Sequence, residues 1–413
     1  MTRALNRIIH SLLVILCFCW AGWLATQPLP ARGGSSVEVI RPGVIHRTIV
    51  DRDGPWSIHV VEINVGHPEL RIESACAEDR LFGRETVSSI AIRKSNADQY
   101  VAVAINGDYF NPGTGEAQNN HIVGGSFVKA FRSRGHRPEF VDIPNSQFAV
   151  THDGRPLIEQ FMFDGSVLGR AGLSIALAGV NIIPRRGGVV LYNRYFGKQT
   201  PVPDGLTKTS ELTVRIARTA GDTMICTSIE NSISPEGGII PEGGLVLTEY
   251  GGEILSTQSN EDSLRIVLAM LPDSGPLKEL VGGWPRIVRN GKNVFKQSDF
   301  PEDPRATIFS KRHPRSGVGF SSDSTTLYFI TVDGRQQRTV GMSLSEFADL
   351  MIRLGIYQGL NLDGGGSTTL VINGRVVNSP SDPTGERAIG NCLLLVADTD
   401  RGKNTERASV GAN

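Results

Sequence analysis

The sequence has no excess of charge of either sign, and it contains little cysteine. Lys plus Arg and Asp plus Glu both total 42 in 413 residues. Without a basic field the chain has no electrostatic means of holding nucleic acid, so we expect no nucleic-acid partner. Only three of its cysteines, Cys76, Cys226 and Cys392, lie beyond the N-terminal apolar run. Three cysteines permit one disulfide at most, which excludes a disulfide scaffold.

Aromatic residues are also scarce, at 7% of the chain, whereas glycine occurs 47 times. Abundant glycine is typical of tight turns between short strands, and it disfavours a helical bundle. No period of 20 to 50 residues recurs, which excludes a repeat architecture.

One long apolar segment stands at the N-terminus. Arg3 and Arg7 precede an apolar run over residues 8–25 that only three other residues interrupt. This pattern indicates an export signal or an N-terminal membrane anchor over residues 1–25. The run is near the roughly 20 residues that span a bilayer, and no clear cleavage site follows it, so both alternatives stay open. We therefore expect an extracytoplasmic protein, whether periplasmic, secreted or anchored, that contacts membrane only through this segment.

Composition divides the remainder of the chain. Residues 26–36, rich in Pro, Gly and Ser, predict a flexible linker. Residues 37–100 are strand-rich and either pack on the main domain or form part of it. Residues 101–398 are expected to form that main domain, and residues 399–413 a flexible tail.

Periodicity predicts many strands and few helices. Thr86 is the expected N-cap of one short helix, and Ser343 with Glu346 forms a capping box for another helix that ends on Gly355. Alternating or continuous apolar runs predict strands at WSIHVVEINV, YVAVAI, LTVRIA, TMICTSI, LRIVLAML and TTLYFITV. Turn dipeptides recur at Asp153-Gly154, Asn290-Gly291, Asp333-Gly334 and Asn373-Gly374. We predict an α+β fold with mixed or antiparallel sheets, several hairpins and few helices.

The stretch NLDGGGSTTL, from Asn361 to Leu370, carries the first candidate site. A strand over 358–362, a turn over 363–366 and a second strand over 367–372 are predicted. Three glycines let a ligand approach the backbone closely, and their N–H groups can line an anion pocket. The alternative is a tight turn in which the aspartate bonds its own backbone. The candidate residues are Asp363, Gly364, Gly365, Gly366 and Ser367.

A second stretch, AINGDYFNPGTGEAQN, repeats this design. An apolar strand ends at Ile105 and delivers Asn106, Gly107 and Asp108 into a loop that contains Glu116. Asn106 and Asp108 are suited to hydrogen-bond a sugar, and Asp108 to act as an acid or base. The alternative is an ordinary strand-to-loop transition with turns made by the Asn and Asp side chains.

Arginines mark a third region. Arg315 lies in HPRSGVGF, and the strand TTLYFITV leads to Asp333 and Arg335. A guanidinium suits a phosphate diester, because its planar fork donates two parallel charge-assisted hydrogen bonds. A structural ion pair with a nearby aspartate is the alternative.

Other motifs give only weak indications of a metal site or of a different enzyme class. His121, His136 and His313 lack metal-ligand spacing and are more typical of loop or surface histidines. The absence of a Gly-x-Ser-x-Gly elbow disfavours an esterase of the α/β-hydrolase type. Acidic residues beside glycine loops also suit calcium, so a bound divalent cation is an alternative, although no cofactor is expected to be required.

Taken together, these stretches resemble the phosphodiester glycosidase family over roughly residues 101–398. The stretch that follows the family's arginine departs from its usual Thr-Ala and reads Ser316-Gly317, and residues 132–263 match poorly. The matching segments, in chain order, are INGDYF, GGWPRIVRNGK, HPRSGVGF, TVDGR, GMSLSEFADLMIRLG, NLDGGGSTTLVINGRVVNSPSD and the segment from Arg387 to Asn391.

The resemblance implies hydrolysis of the bond between a sugar's anomeric carbon and a phosphodiester oxygen. Arg315 and Arg335 would neutralise the leaving phosphate, because this leaving group needs charge stabilisation more than a strong general acid. Asp363 and Asp333 are the carboxylate candidates for base or nucleophile, with Asp108 beside them. Asn378 and Asp382 are expected at the rim of the site.

Two alternatives remain at this stage. A non-catalytic glycan or cell-wall binding module would use the same cleft without turnover. A metal-dependent phosphodiesterase would cut the phosphorus–oxygen bond and release a sugar phosphate. The expected partner is a glycan or a sugar phosphodiester in each case.

Overall fold

The computed structural model describes residues 33–132, 145–169, 172–184, 187–232, 237–258, 262–296 and 310–399. The predicted export segment, most of the linker and nearly all of the tail lie outside these residues, as does His136. Strands make up 51% and helices 9% of the structure. The fold is therefore mostly β; the mixed and antiparallel sheets with few helices are confirmed, whereas the label α+β gives the helices too much weight.

The described residues contain 25 strands and two α-helices. Helix α1 is Val87–Arg93 and helix α2 is Leu344–Arg353. The first strands are β1 Gly33–Arg41, β2 Val44–Asp51, β3 Trp56–Asn64, β4 Leu70–Cys76, β5 Gln99–Asn106, β6 His121–Val123, β7 Ser126–Phe131, β8 Gln147–Thr151, β9 Pro156–Glu159, β10 Met162–Leu168, β11 Ser174–Val180 and β12 Gly188–Tyr192. The others are β13 Lys208–Ala220, β14 Thr223–Ser232, β15 Leu245–Tyr250, β16 Ser263–Leu271, β17 Leu277–Gly282, β18 Arg286–Arg289, β19 Lys292–Asn293, β20 Arg315–Phe320, β21 Thr326–Val332, β22 Gln358–Asn361, β23 Leu370–Ile372, β24 Arg375–Val376 and β25 Asn391–Asp398.

Two sheets stack face to face and form a sandwich. The eight-stranded sheet has the order β1-β2-β3-β21-β20-β22-β18-β19, and the five-stranded sheet has the order β24-β23-β5-β25-β4. Side chains from both inner faces form one core, with Val61 and Phe329 from the first sheet and Ile105 and Leu393 from the second. Helix α2 packs on the outer face of the eight-stranded sheet, and α1 on that of the five-stranded sheet. The sandwich therefore has four layers.

A third, twelve-stranded sheet contains a closed ring. Strands β10, β16, β14, β13, β15, β12 and β11 pair in that order, and β11 pairs back to β10. Within the described residues β11 and β12 form the parallel pair of this sheet, whereas its other pairs are antiparallel. The other five strands, β7-β6-β17-β8-β9, extend from β11. This extension lies between the two cores: Leu280 packs in the core of the ring, and Val281 packs in the core of the sandwich.

Both helix caps follow the sequence prediction. The Thr86 side chain accepts a hydrogen bond from the Ser89 N–H at the start of α1. Ser343 and Glu346 make the reciprocal capping box of α2, and Gly355 follows with φ of 86°. Each of the predicted strand segments is also present.

Several boundaries differ from prediction. Gly33–Ser36 belong to β1 rather than to a linker, because their backbone pairs with β2. Asp333-Gly334 is not a hairpin turn, since β21 leads there toward α2. Strand β22 ends at Asn361, and a 3-10 turn over Gly365–Ser367 delays the next strand to Leu370. In the described part of the chain, no helix is long and apolar enough to cross a membrane.

Candidate active site

The triple-glycine turn lies where the two sheets of the sandwich meet. Asn106, the last residue of β5, connects them: its Nδ2 donates to the Asp363 carbonyl at 2.7 Å, and its Oδ1 accepts from Ser316 Oγ at 2.7 Å. Oδ1 also accepts from the Thr369 N–H at 3.1 Å. Asn106 is fully buried, so it is a cross-link beneath the site.

Strand register brings Arg315 and Asp363 together. In the antiparallel pair of β20 and β22, Gly317 lies opposite Asn361. The Leu362 N–H then donates to the Ser316 carbonyl at 2.9 Å, which continues the pairing beyond β22. Two residues further along, the same register places Arg315 opposite Asp363, on one side of the ladder.

Arg315 is a buried cation that forms no ion pair with any described carboxylate. Its Nε donates to the Met342 carbonyl at 2.8 Å and its Nη2 to the Lys311 carbonyl at 3.0 Å. Burial, together with the positive charge of Arg335, lowers the pKa of the guanidinium to about 10, while Tyr109 and Glu346 oppose the shift. A cation held by neutral carbonyls in a low dielectric is suited to an anionic ligand.

Two more arginines lie over the turn itself. Gly365 has φ of 63°, and a Cβ there would stand 2.8 Å from Arg335 Nη2. A Cβ on Gly366 would overlap the guanidinium of Arg387. The positive φ of Gly365 suits the turn, and both glycines leave room for the two cations beside the backbone.

Asp363 is half-buried beside these cations. Burial raises its pKa to about 6, against hydrogen bonds from Ser367 and the Gly364 N–H and the charges of Arg387 and Arg335. The Gly364 N–H donates to Asp363 Oδ1 at 2.9 Å, and the Gly365 N–H donates to the Pro314 carbonyl at 2.9 Å. Two of the three N–H groups predicted to line an anion pocket are thus already occupied.

Asp108 is a second buried carboxyl near Asp363. Its two oxygens accept from the backbone and side-chain nitrogens of Asn119, each at 2.8 Å. Burial raises its pKa to about 7, and the charge of Asp363 contributes, while the Asn119 hydrogen bonds and Lys129 oppose the rise. Gly107 keeps the loop close, because a Cβ there would overlap the Asn391 side chain.

Within the described residues, Asp333 does not share hydrogen-bond partners with Asp363 or Asp108. Its Oδ1 accepts from Asn378 Nδ2 at 3.1 Å and the Ser379 N–H at 2.9 Å. Asn378 also donates to the Thr368 carbonyl and accepts from the Leu370 N–H. Burial raises the pKa of Asp333, and these donors oppose the rise. Asp333 therefore contacts the turn through Asn378.

The rim contains an ion pair and a histidine. Asp382 Oδ2 accepts from Arg387 Nε at 2.7 Å, and Arg387 Nη1 lies 3.4 Å from Ser367 Oγ. Arg335, with φ of 58°, places Nη2 3.3 Å from His313 Nδ1. His121, which the sequence suggests is a loop or surface residue, is buried instead on β6.

Sequence reasoning did not single out several residues of the site. Asn119 and Asn391 hold Asp108 through its carboxylate and its N–H. Tyr109 OH donates to the Trp284 carbonyl and accepts from Asn361. Arg387 was noticed only as part of a family motif. These pairs are formed by distant strand pairing, and the sequence gives no local signal for them beyond that motif.

No group of three or more His, Cys, Asp or Glu side chains converges on a metal position within the described ranges. The calcium alternative stays a prediction. The three cysteines outside the N-terminal run are buried and free.

Comparisons with known proteins agree with the family resemblance of the sequence. Residues 213–396 match the model of the phosphodiester glycosidase family. A SPbeta prophage-derived uncharacterized protein of Bacillus subtilis is 38% identical over 84 residues, or 20% of this chain and 13% of that protein. The human N-acetylglucosamine-1-phosphodiester alpha-N-acetylglucosaminidase is 27% identical over 162 residues, or 38% of this chain and 30% of that enzyme. The chain thus spans less than a third of the length of these two curated relatives.

A solved structure shows the same fold. A hypothetical protein from Synechocystis superposes with a TM-score of 0.66 over 88% of this chain and 64% of that one, at 17% identity. This likeness concerns the fold alone. The match over residues 213–396 confirms the resemblance that the motifs indicate: this part of the chain is similar to the phosphodiester glycosidases, an enzyme family of hydrolases.

Proposed function

We propose that the protein is an exported hydrolase that cleaves the C1–O bond of a sugar-1-phosphodiester and releases a free sugar and a phosphomonoester. The observation that carries this proposal is the set of cations at the triple-glycine turn. Arg335 and Arg387 lie against Gly365 and Gly366 and lower the pKa of half-buried Asp363. Buried Arg315, which has no carboxylate partner among the described residues, supplies a further cation. Cations and a carboxylate at one turn match a substrate that has a phosphate on one side of the scissile bond and a developing oxocarbenium carbon on the other.

The arginines stabilise the leaving group. Arg315 and Arg335 bind the phosphate oxygens, and Arg387 extends the positive surface over Gly366. The phosphate monoester leaves as a stable anion, so charge stabilisation accounts for most of the barrier reduction. The partial burial of the site strengthens these interactions relative to water.

The carboxyl groups act on the sugar side. Asp363 faces the anomeric carbon as base or nucleophile, and its raised pKa keeps it a competent base near neutral pH. Asp108, with the higher pKa of about 7, holds a proton more readily and orients or protonates the substrate. Asn106, Asn378 and Asp333 position the turn, since their polar atoms are bonded to its backbone or to one another.

The test is turnover on a panel of synthetic sugar-1-phosphodiesters, with Asp363→Asn and Arg315→Ala beside the parent protein. Each substitution is expected to lower release of free sugar by about a hundredfold or more, the scale on which catalytic groups act. Arg312→Ala is the matched control, because Arg312 is solvent-exposed and pairs with Glu346. Its turnover is expected to stay within about twofold of the parent, since an exposed pair contributes little.

Isotopic water identifies the bond that breaks. Label in the sugar supports the glycosidase, whereas label in the phosphate supports phosphorus–oxygen cleavage and contradicts the proposal. If no phosphodiester is turned over and Asp363→Asn retains sugar affinity, the glycan-binding module becomes the better interpretation.

A further inference from the structure

A row of ionisable side chains crosses the eight-stranded sheet toward Asp333. Glu38 on β1 lies opposite His46 on β2. His46 Nε2 is 3.2 Å from His59 Nδ1 on β3, with the two rings stacked at an interplanar angle of 12°. His59 Nε2 is 3.9 Å from Asp333 Oδ2. Neither histidine belongs to a motif of the candidate site.

Both imidazoles are neutral at pH 7. Each is 8% exposed, and burial lowers the pKa of His59 to about 4. Burial and the charge of His59 lower the pKa of His46, while Glu38 raises it. The other described groups at Asp333 are uncharged: Asn378 and Ser379 on Oδ1, and Ser57.

A short contact between two neutral rings fixes their tautomers together. One nitrogen of the 3.2 Å contact must donate and the other accept. When His46 Nε2–H donates to His59 Nδ1, His59 carries its proton on Nε2 and presents an N–H to Asp333. In the opposite arrangement His59 presents a lone pair, which suits only a protonated Asp333 that donates back.

We propose that His59, supported by His46, is a positioning residue that couples the ionisation of Asp333 to the hydrogen bonds of the triple-glycine turn. Proton movement balances without an imidazolium. When Asp333 takes a proton from solvent, His59 and His46 each move their proton from Nε2 to Nδ1 by exchange with solvent, so both rings stay neutral. Asp333 Oδ1 accepts hydrogen bonds from Asn378 and Ser379, and Asn378 is in turn hydrogen-bonded to Thr368 and Leu370. The charge of Asp333 therefore determines how strongly Asn378 is fixed against Thr368 and Leu370.

The direct test needs no substrate, although the turnover arm rests on the proposed function. We would record ¹³C spectra of the aspartate carboxyls and ¹⁵N spectra of the histidines against pH, with Asp333→Asn to assign Asp333. In the parent protein the His59 tautomer is expected to change as Asp333 titrates. His59→Leu is expected to raise the pKa of Asp333, because the carboxylate loses the polar imidazole that lies 3.9 Å away and gains apolar surroundings.

His59→Gln is the matched variant, since the glutamine amide reaches the place of the imidazole Nε2–H. It is expected to return the pKa of Asp333 toward that of the parent. At pH 6, His59→Leu should lower kcat about three- to tenfold, the effect of losing one hydrogen bond, and His59→Gln should recover most of it. A merely structural histidine would not show this difference.

A pKa of Asp333 that stays unchanged in folded His59→Leu overturns the proposal, whether or not turnover is detected. If His59→Leu does not fold, His46→Leu is measured instead, because this variant keeps His59 and removes only the ring that fixes its tautomer. An unchanged His59 tautomer in His46→Leu also overturns the proposal. Absence of turnover in the parent protein contradicts only the proposed function. The titration of the Asp333 carboxyl then still decides the proposal about His59.

Discussion

The sandwich and the seven-stranded ring each bury a cation, and they hold it differently. In the ring, Lys208 Nζ lies 3.0 Å from Glu211 Oε1, and Thr200 and Thr248 donate to the same oxygen. In the sandwich, Arg315 is buried with no carboxylate partner, and Asp363 has no cation in ion-pair contact among the described residues. Buried charges that the fold leaves unpaired are costly unless a ligand completes them. This difference between the two buried cations supports a candidate site in the sandwich. Glu249 in the ring is also buried without a cation in the described part of the chain, but the N–H groups of Ile254 and Leu255 donate to it.

The largest effect is expected in the ring. Lys208→Met leaves Glu211 buried without its cation, which should lower the free energy of unfolding by about 3–5 kcal/mol. Chemical denaturation measures this loss. Turnover per folded molecule should equal that of the parent, because the pair has no contact with the site. The double variant Lys208→Met with Glu211→Leu is the control and should recover most of the stability. A fall in kcat would refute the division between the two regions.

One hydrogen-bonded amide in each region tests the comparison more closely. Asn106→Ala leaves Ser316 and the Thr369 N–H without their acceptor, so unfolding should become easier by about 3 kcal/mol. Turnover should also fall at least about tenfold, because the lost cross-link holds the backbone of Asp363, and small displacements of catalytic groups are costly.

Asn231→Ala is the matched control in the ring. Asn231 Nδ2 donates to the carbonyls of Leu255 and Gln258, and its Oδ1 accepts from Ser210. A similar loss of stability is expected with kcat intact. Equal loss of kcat in both variants would show that stability alone explains the effect of Asn106.

Local signals predict strands in both the sandwich and the ring, but they do not predict how the ring strands pair. The caps at Thr86 and Ser343 and the buried strand β5 can be recognised in the sequence, because capping and apolar periodicity act within a few residues. The order of strands around the ring depends on pairing between distant segments, for which one sequence gives no register. The turn at Gly365 was expected to lead directly into a strand, but hydrogen bonds to residues far along the chain set its geometry.

The residues of the candidate site also differ in how well the sequence predicts them. Motifs identified Asp363, Asp108 and Arg315, because glycine-rich loops after apolar strands are visible in the sequence. The partner of Asp108, Asn119, was missed, since nothing in its own neighbourhood distinguishes it from a turn residue. The sequence therefore indicates the candidate groups more readily than the residues that hydrogen-bond to them.

The smallest effect is expected at the junction of the two regions. Glu279 on β17 accepts from the N–H and Oγ of Ser74 on β4 and from the Gly124 N–H. Burial raises its pKa from 4.5 to about 7, against those hydrogen bonds. The folded protein therefore holds a proton that the unfolded chain releases, so this contribution to stability is complete below pH 4.5 and is lost as pH rises through 7.

Glu279→Gln removes the titrating group. Between pH 5 and pH 8 the free energy of unfolding should fall less than in the parent, by about 2 kcal/mol. Denaturant unfolding at the two pH values measures the difference, with Glu230→Gln, an exposed carboxylate on β14, as the control. An unchanged pH slope would mean that Glu279 is ionised in the folded state. Glu279 would then be a buried, charged carboxylate between the ring and the sandwich. In that case unpaired buried charge would not be confined to the candidate site, and the comparison between the two regions would fail.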